Sequence, residues 1–403
     1  MTLVLNWLGY ASAGIALCGC AQSAIGAGLI TAFRRQEKSA VLPDARQPTR
    51  IGENTTQILP PVTVLKPLHG DEPMLEQALR SFCEQDYPRF QLVFGVQRKS
   101  DPAIAIVQRL MQDYPERDIS LVIDDTAHGT NRKVANLINM YPRAKHDVLV
   151  ISDSDIHVQR GYLRDIATTL ARPGVGLVTT LYAGLPASKA LVREFAASQI
   201  NHNFMPGVMM SRLLGRQDCL GATMALTRRL LERVGGLAAL ADHVADDAIL
   251  GQLVRAHGQE IALAPCMTWT TVAEPSAGHM IEHELRWGRT VKNVEPVGYG
   301  LSAIQLPLFW SSVVLACFWP ARGALWFFLG VWAVRSLAAM AIDRNVGRLS
   351  PALYALFPLR EWLSAAIMVG SARGKRVAWR GQTLHIRRAA SITPPIQPVE
   401  PGD

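Results

Sequence analysis

Met1 to Phe33 carries no charged side chain. A helix that crosses a bilayer needs about 20 consecutive apolar residues, so this stretch is long enough to span one. Read as a span, it requires the remaining parts to fold beside a membrane; a helix buried in a protein core is the alternative. No positive segment precedes the run, which argues against a cleaved signal peptide. Arg34, Arg35 and Lys38 follow it directly. Because Lys and Arg collect on the cytoplasmic side, the N-terminus is predicted outside and the following domain in the cytoplasm.

Three further apolar stretches lie near the other end. Leu301 to Trp319 is charge-free, Ala324 to Ile342 is interrupted by Arg335, and Pro351 to Gly370 holds Arg360 and Glu361 in its middle. Charges are costly inside a bilayer. The last stretch is therefore predicted to be re-entrant or interfacial, with Arg360 and Glu361 paired or at headgroup level. That arrangement returns the tail with Arg373, Lys375, Arg376, Arg380, Arg387 and Arg388 to the cytoplasm, whereas three full spans place it outside. The hydrophobic share of 49% against 18% charged residues reflects these ends, and exceeds that of ordinary soluble domains. The net charge of +8 sits largely beside the apolar stretches. That placement fits an anionic membrane surface better than nucleic acid, and no RNA-binding aromatic motif or zinc-finger spacing is present. The six cysteines are scattered without a CxxC pair, so they form no disulfide framework and fit a reducing compartment. The organisation read from the sequence is a membrane helix over 1–33, a linker over 34–60, a globular domain over 61–298, membrane or interfacial helices over 299–372, and a basic tail over 373–403. The proline-rich end, Ala389 to Asp403, is predicted disordered.

Within the globular part, strands and helices alternate. Val62 to Leu65, Phe90 to Val96, Ile119 to Ile123, Asp147 to Ile151 and Gly174 to Leu181 read as strands. Met74 to Gln85, Ala103 to Met111 and Asn131 to Met140 have helical spacing. Such alternation predicts an α/β fold with a mainly parallel sheet covered on both faces. Ligands of such sheets bind beyond the carboxyl ends of the strands.

Acidic residues stand at those ends. Asp101 follows the second strand and Asp153-Ser154-Asp155 the fourth. Two carboxylates leaving a buried strand repel each other unless a cation sits between them. Mg²⁺ and Mn²⁺ take oxygen ligands and bridge to phosphates, so the pair points to a metal-held diphosphate. The alternative is a turn capping the helix that starts near Gly161. Asp247, in the pair Asp246-Asp247, is a candidate general base for an attacking hydroxyl, although an acidic first helical turn is also favoured by the helix dipole. Gly129-Thr130-Asn131-Arg132-Lys133 opens a helix, where backbone N–H groups and Lys133 can meet phosphate or base; a simple N-capped helix has the same string. In His283-Glu284-Leu285-Arg286-Trp287, Arg286 can meet a diphosphate and Trp287 can stack on a sugar. An amphipathic helix at the membrane interface uses the same residues. His69, His128 and His157 read as surface or hydrogen-bonded residues.

Taken in order, these residues resemble the GT-A, family-2-like glycosyltransferases, and within them the ceramide glucosyltransferase type. The resemblance rests on Val64-Leu65-Lys66-Pro67-Leu68, Asp101-Pro102-Ala103, Asn131 to Leu137, Asp153-Ser154-Asp155-Ile156, Gly235-Gly236-Leu237, Asp246-Asp247, Arg286-Trp287 and Trp379-Arg380-Gly381. The strings Val64-Leu65-Lys66-Pro67-Leu68-His69-Gly70, Ser81 to Pro88 and Asn136 to Met140 are similar to a bacterial subgroup associated with hopanoid biosynthesis. The resemblance implies a GT-A catalytic domain on the cytoplasmic side of a bacterial inner membrane, in a multi-pass protein. Its substrates would be a UDP-sugar, foremost UDP-N-acetylglucosamine, and the hydroxyl of a hopanoid polyol, with UDP-glucose and ceramide as the alternative pair. Asp153 and Asp155 would hold Mg²⁺ or Mn²⁺, and Asp247 would be the base of an inverting transfer. Lys66, Asp101, Lys133, Cys219, His283, Arg286 and Trp287 would lie on the donor side. His283 departs from the usual Gln or Arg of the motif that ends in Arg-Trp, but still offers a donor to phosphate. Cys219 stands where ceramide-type enzymes carry a donor-site cysteine, and also reads as a small buried hydrophobe. A processive polysaccharide synthase is disfavoured, because the C-terminal membrane part is small for a polymer channel. A non-catalytic membrane scaffold has no need of three carboxylate sites in this order.

Overall fold

The computed structural model describes residues 2–41, 59–372, 376–379 and 382–385, the side chains of 38–41 and 376–385 excepted. The chain opens with α1 (Thr2–Val41). There follow β1 (Val62–Pro67), α2 (Leu75–Cys83), β2 (Phe90–Val96), α3 (Ala103–Asp113), β3 (Asp118–Ile123), α4 (Arg132–Met140), β4 (Val148–Ser152), β5 (Ile156–His157), α5 (Tyr162–Leu170) and β6 (Val175–Pro186). Helix α6 (Leu191–Gln199) passes through a π-helical turn, Ile200–Phe204, into α7 (Met205–Leu213). Then come β7 (Thr223–Thr227), α8 (Arg228–Arg233), α9 (Asp246–Ala256), β8 (Glu260–Val272) and α10 (Ala277–Val294). The C-terminal part holds α11 (Pro296–Leu301), α12 (Pro307–Phe318), α13 (Arg322–Val346), α14 (Pro351–Ala355), α15 (Phe357–Ala372) and the hairpin β9 (Arg376–Trp379) and β10 (Gln382–His385).

Eight strands form one sheet in the order β3-β2-β1-β4-β7-β6-β8-β5. The four strands that alternate with helices in the sequence pair in parallel. Beyond β4 the sheet is mixed: β7 runs antiparallel to β4 and β6, while β6 and β8 are parallel. The side-chain period of two explains the layering. Val62, Val64, Val148 and Val150 pack on one face with Leu79 and Phe82 of α2, Leu110 of α3 and Ile166 of α5. Leu65, Val93, Leu149 and Ile151 pack on the other with Val134 and Leu137 of α4 and Leu250 and Val254 of α9. Each Leu or Phe fully removed from water here contributes about 1.5–3 kcal/mol.

Among the described residues, two helices are long and apolar enough to cross a membrane, α1 and α13. The charge-free run at Leu301–Trp319 is not one helix: α11 and α12 meet at a 63° bend, and the pair counts as a third span only if taken together. Helix α1 also differs from its expected limits. It runs without a break past Arg34 and Arg35 to Val41, where a linker was predicted. The reason is tertiary. Ala27, Ile30 and Phe33 pack on Leu181 of β6 and Met267 of β8, Glu37 Oε1 accepts from Met267 N, and Arg34 Nε donates to the Asn345 carbonyl of α13. The remaining linker, 42–58, and the tail end, 386–403, lie outside the described residues, as do the side chains of Trp379 and Arg380.

Arg360 and Glu361 are both buried and both paired. Arg360 Nη2 meets both Glu284 oxygens, at 2.7 and 2.8 Å, and Gln199 Oε1 at 2.9 Å. Glu361 Oε1 accepts from Arg335 Nε at 2.9 Å, and its Oε2 accepts from the N–H groups of Leu308 and Phe309. Helix α12 has no side-chain cap of its own, so a carboxylate from α15 satisfies its first N–H groups and opposes its dipole. Arg335 Nη2 continues to Asn203 Oδ1 in the π turn, and His202 pairs with Asp343. The polar residues of the apolar stretches thus lock to one another and to α10.

Candidate functional site

The loops after β1, β2 and β4 carry the acidic residues, as the strand-end rule requires. Asp101 does not point into open space. Its carboxylate accepts from the N–H groups of Gly70 at 3.0 and 3.1 Å and Ala103 at 3.0 Å, holding the first N–H of α3 and tying the loop after β1 to the loop after β2. Beside it a cavity of about 460 Å³ is lined by His69, Gln97, Arg98, Asp125, Thr130 and Arg132, among others.

Asn131 caps α4, accepting from Lys133 N and Val134 N. Its Nδ2 also donates to the His243 carbonyl at 2.7 Å, Asn131 N donates to the Ala241 carbonyl at 2.8 Å, and Thr130 N donates to Asp242 Oδ1 at 3.0 Å. The approach needs Gly129, whose φ is +96° and whose Cβ, if present, would lie 2.8 Å from the Ala241 carbonyl oxygen. This stitching brings the first turn of α4 against the first turn of α9. Lys133 Nζ then lies 2.8 Å from Asp153 Oδ1 and 3.0 Å from Asp246 Oδ2. Burial works against its charge, but Asp153 and Asp246 raise its pKa above that of an ordinary lysine.

Asp247 is half-buried next to this bridge. Its Oδ1 accepts from Ala248 N at 2.8 Å, and its Oδ2 faces Gly221, where a Cβ would lie 3.1 Å away. Burial and then Asp246 push its pKa up to about 6, with Lys133 opposing. Tyr182 of β6 belongs to the same group: burial first, then Asp247, Asp153 and Asp155, raise its hydroxyl pKa.

Asp155 Oδ2 accepts from Thr270 Oγ1 of β8 at 2.5 Å, and Ser154 Oγ donates to Glu72 Oε2 at 2.6 Å. Burial and the nearby Asp153 push the Asp155 carboxyl up to about 6. That mutual repulsion is what a divalent cation relieves, and the donors are hard oxygens, so the pair fits Mg²⁺ or Mn²⁺. No group of three or more acidic, His or Cys side chains suited to a metal occurs among the described residues. The rest of a coordination shell would come from phosphates and water, as is usual for Mg²⁺. Lys66 lies beneath, wholly buried. Its Nζ donates to the Asp153 carbonyl at 2.6 Å and stands 3.8 Å from the centre of the Phe82 ring. Burial pushes its pKa down to about 7 against the pull of Asp155 and Asp153. It supports the Asp153 turn from below.

Helix α10 carries the remaining residues. His283 Nδ1 lies 2.7 Å from Glu274 Oε1, and its ring meets Trp287 edge-on at 5.4 Å. Trp287 contacts Phe204 of the π turn at 6.2 Å, and Phe204 contacts Tyr182 at 4.8 Å. An aromatic row thus joins this helix to the acidic group. Arg286 is half-buried on the same helix. Cys219 packs in the core behind α9, and burial raises its thiol pKa well above the usual value. His128 and His157 are hydrogen-bonded, to Asn139 and Thr271. Sequence reasoning did not single out Glu72, Tyr182, Phe204, Thr270 or Glu274. They come from distant segments and carry no local motif; only the Asn131 cap before Lys133 gave a readable signal.

The fold is thus a mixed α/β sheet packed on apolar helices, with a strand-end cavity near a lysine-bridged carboxylate group. The chain belongs to glycosyl transferase family 21, whose profile matches residues 20–392. Ceramide glucosyltransferase 3 of Caenorhabditis elegans is 23% identical over 358 residues, 84% of this chain and 75% of that one. The ceramide glucosyltransferase of Komagataella phaffii is 35% identical over 115 residues, 28% of this chain and 23% of its own length. Among solved structures, mannosyltransferase PcManGT from Pyrobaculum calidifontis, in complex with GDP-Man and Mn²⁺, aligns over 89% of this chain and 97% of its own, with 21% identity and a TM-score of 0.46.

Proposed function

We propose that this protein transfers a sugar, foremost N-acetylglucosamine from UDP-N-acetylglucosamine, to a hopanoid polyol hydroxyl at the cytoplasmic face of a bacterial inner membrane. The observation that carries the transferase reading is the Lys133 bridge between Asp153 and Asp246, with Asp247 beside it. The hopanoid acceptor rests on the strings around Leu68-His69-Gly70 and Ser81 to Pro88. The ceramide glucosyltransferases among the relatives favour a second pair, UDP-glucose and ceramide.

In this reading the cavity beside Arg98 and Arg132 takes the nucleotide. Asp153 and Asp155 hold Mg²⁺ or Mn²⁺, which when bound supplies positive charge at the diphosphate. Arg286 adds hydrogen-bonded charge to the same group. Asp247 takes the proton of the acceptor hydroxyl. The oxygen forms its bond to the anomeric carbon as the bond to the diphosphate oxygen breaks, and that electron pair leaves with UDP. Attack opposite the leaving group inverts the anomeric configuration. Lys133 holds the two acidic turns together, and Lys66 keeps the Asp153 carbonyl in place.

The test is UDP release by the purified protein in detergent with Mg²⁺, crossing the two donors with a bacteriohopanepolyol and a ceramide. Release with UDP-N-acetylglucosamine and the hopanoid alone supports the lead reading. Release with UDP-glucose and ceramide moves the protein to the second. Silence with every pair overturns both.

A further inference from the structure

The segment between α7 and β7 ends at the candidate base and begins in solvent-exposed hydrocarbon. At its start Leu213 and Leu214 are 61% and 78% exposed. On α11, Val297 and Leu301 are 72% and 61% exposed. Arg216 holds the two sides together. Its guanidinium meets Asp218 at 3.0 Å through both Nε and Nη2, and Glu295 at 3.2 Å, and a Cβ on Gly298 would lie 3.9 Å from its Nη1. One fully paired ionic clasp therefore joins the segment that follows Leu213 and Leu214 to the start of the helix that carries Val297 and Leu301. Isolated exposed apolar residues are ordinary, but a cluster rimmed by charge marks an interaction surface.

The rest of the segment is firmly held. Arg212 donates to the carbonyls of Ile261 and Asp218. Thr179 Oγ1 bonds both the N–H and the carbonyl of Leu220, at 3.0 and 2.9 Å. The next residue is Gly221, which lies against the candidate base: a Cβ there would come within 3.1 Å of Asp247 Oδ2. Helix α11 leads through Ser302–Gln305 into the apolar helix α12, and together they make one bent candidate span, so Val297 and Leu301 are continuous with the apolar part of the chain.

We propose that Leu213, Leu214, Val297 and Leu301 form the lip over which the lipid acceptor leaves the bilayer, its hydrocarbon lying on these side chains while its hydroxyl reaches Asp247 past Gly221. The proposal rests on the reading of Asp247 as the base. The ligand is a membrane lipid with a hydroxyl head; its affinity comes from the hydrocarbon, at about 0.8 kcal/mol per CH₂ removed from water.

The experiment uses the full chain in lipid vesicles. The variants Leu213→Ser/Leu214→Ser and Val297→Ser/Leu301→Ser are assayed with a long-chain acceptor in the bilayer and with a short-chain, water-soluble acceptor of the same head. Expected is a KM for the long-chain acceptor raised about tenfold or more in each, with the UDP-sugar KM and the short-chain rate within twofold of the parent. Equal KM values for the long-chain acceptor in parent and variants overturn the proposal. So does a change of oligomeric mass with acceptor KM unaltered, which would assign the patch to a second copy. Equal loss on both acceptors, with a normal unfolding transition, also overturns it. Asp247→Asn separates the two levels: if that variant turns over normally with the short-chain acceptor, the base reading fails, whatever the lip variants do.

Discussion

Asp247 sits with a pKa near 6 because burial and Asp246 disfavour its charge. An unfolded aspartate titrates near 3.9. The folded form therefore binds its proton more tightly, and the stability this contributes is full below that value and lost as pH rises through about 6. Base function needs the opposite, charged form. Transfer should thus rise with pH through about 6, and the pH profile of kcat/KM checks this. Asp247→Asn should fold, bind donor and lose about 10²–10⁴-fold in transfer, the range for a lost general base. Lys133 opposes the upward shift of Asp247, so Lys133→Gln should move the acid limb to higher pH as well as lower the rate. An unmoved limb would mean that Lys133 does not reach the base electrostatically. At this scale the sequence was informative about identities and poor about partners. Asp153, Asp155 and Asp247 were legible from their places after strands and in a first helical turn. Asp101 was legible from its place after the second strand, but not that its carboxylate is taken up by two loops. Nothing local indicated that Lys133 would answer to Asp246, more than a hundred residues away.

Among the elements, helices and strands of the first half matched their pattern to within a few residues, because each has a clean period and a cap or turn at its end. The mixed half did not read as clearly. Strands β7 and β8 and the π turn hold polar residues that are buried only because distant groups pair with them. Glu361 of α15 shows the same dependence among the C-terminal helices. It pairs with Arg335 and caps α12. Removing one partner of such a buried pair costs about 3–5 kcal/mol, while replacing both by apolar groups is often neutral. Glu361→Leu should lower the unfolding temperature in detergent, and the double change with Arg335→Met should recover most of the loss. A double variant as unstable as the single would show that the α12 cap, rather than the ion pair, carries the effect. Gly129→Ala should also destabilise, by about 1–3 kcal/mol for a side chain forced into a left-handed turn. Its Cβ would also collide with the Ala241 carbonyl and part the α4 and α9 turns, so transfer should fall further than stability alone explains.

For the whole molecule, the apolar helix α1 and the eight-stranded sheet are one packed body rather than an anchor and a tethered domain. Ile30 and Phe33 of α1 share a cluster with Leu181, Met267 and Ile342. Deleting residues 2–41 should therefore give an aggregating product, not a soluble active domain, and size-exclusion chromatography of that truncation checks it. A monodisperse, donor-binding truncation would show that the cluster is dispensable. By itself the sequence determined the apolar ends, the α/β alternation between them and the carboxylates at the strand ends. Those properties are periodic or local, and hydrophobic burial acts on them residue by residue. Only the tertiary structure decided that α1 continues to Val41, that the run at Leu301–Trp319 bends by 63°, that Arg360 and Glu361 are paired inside the bundle, and that Lys133 joins two acidic turns. Each of these depends on a charge or backbone group finding its partner across a long stretch of chain, and the energy of such a pairing appears only once both ends have been brought out of water together.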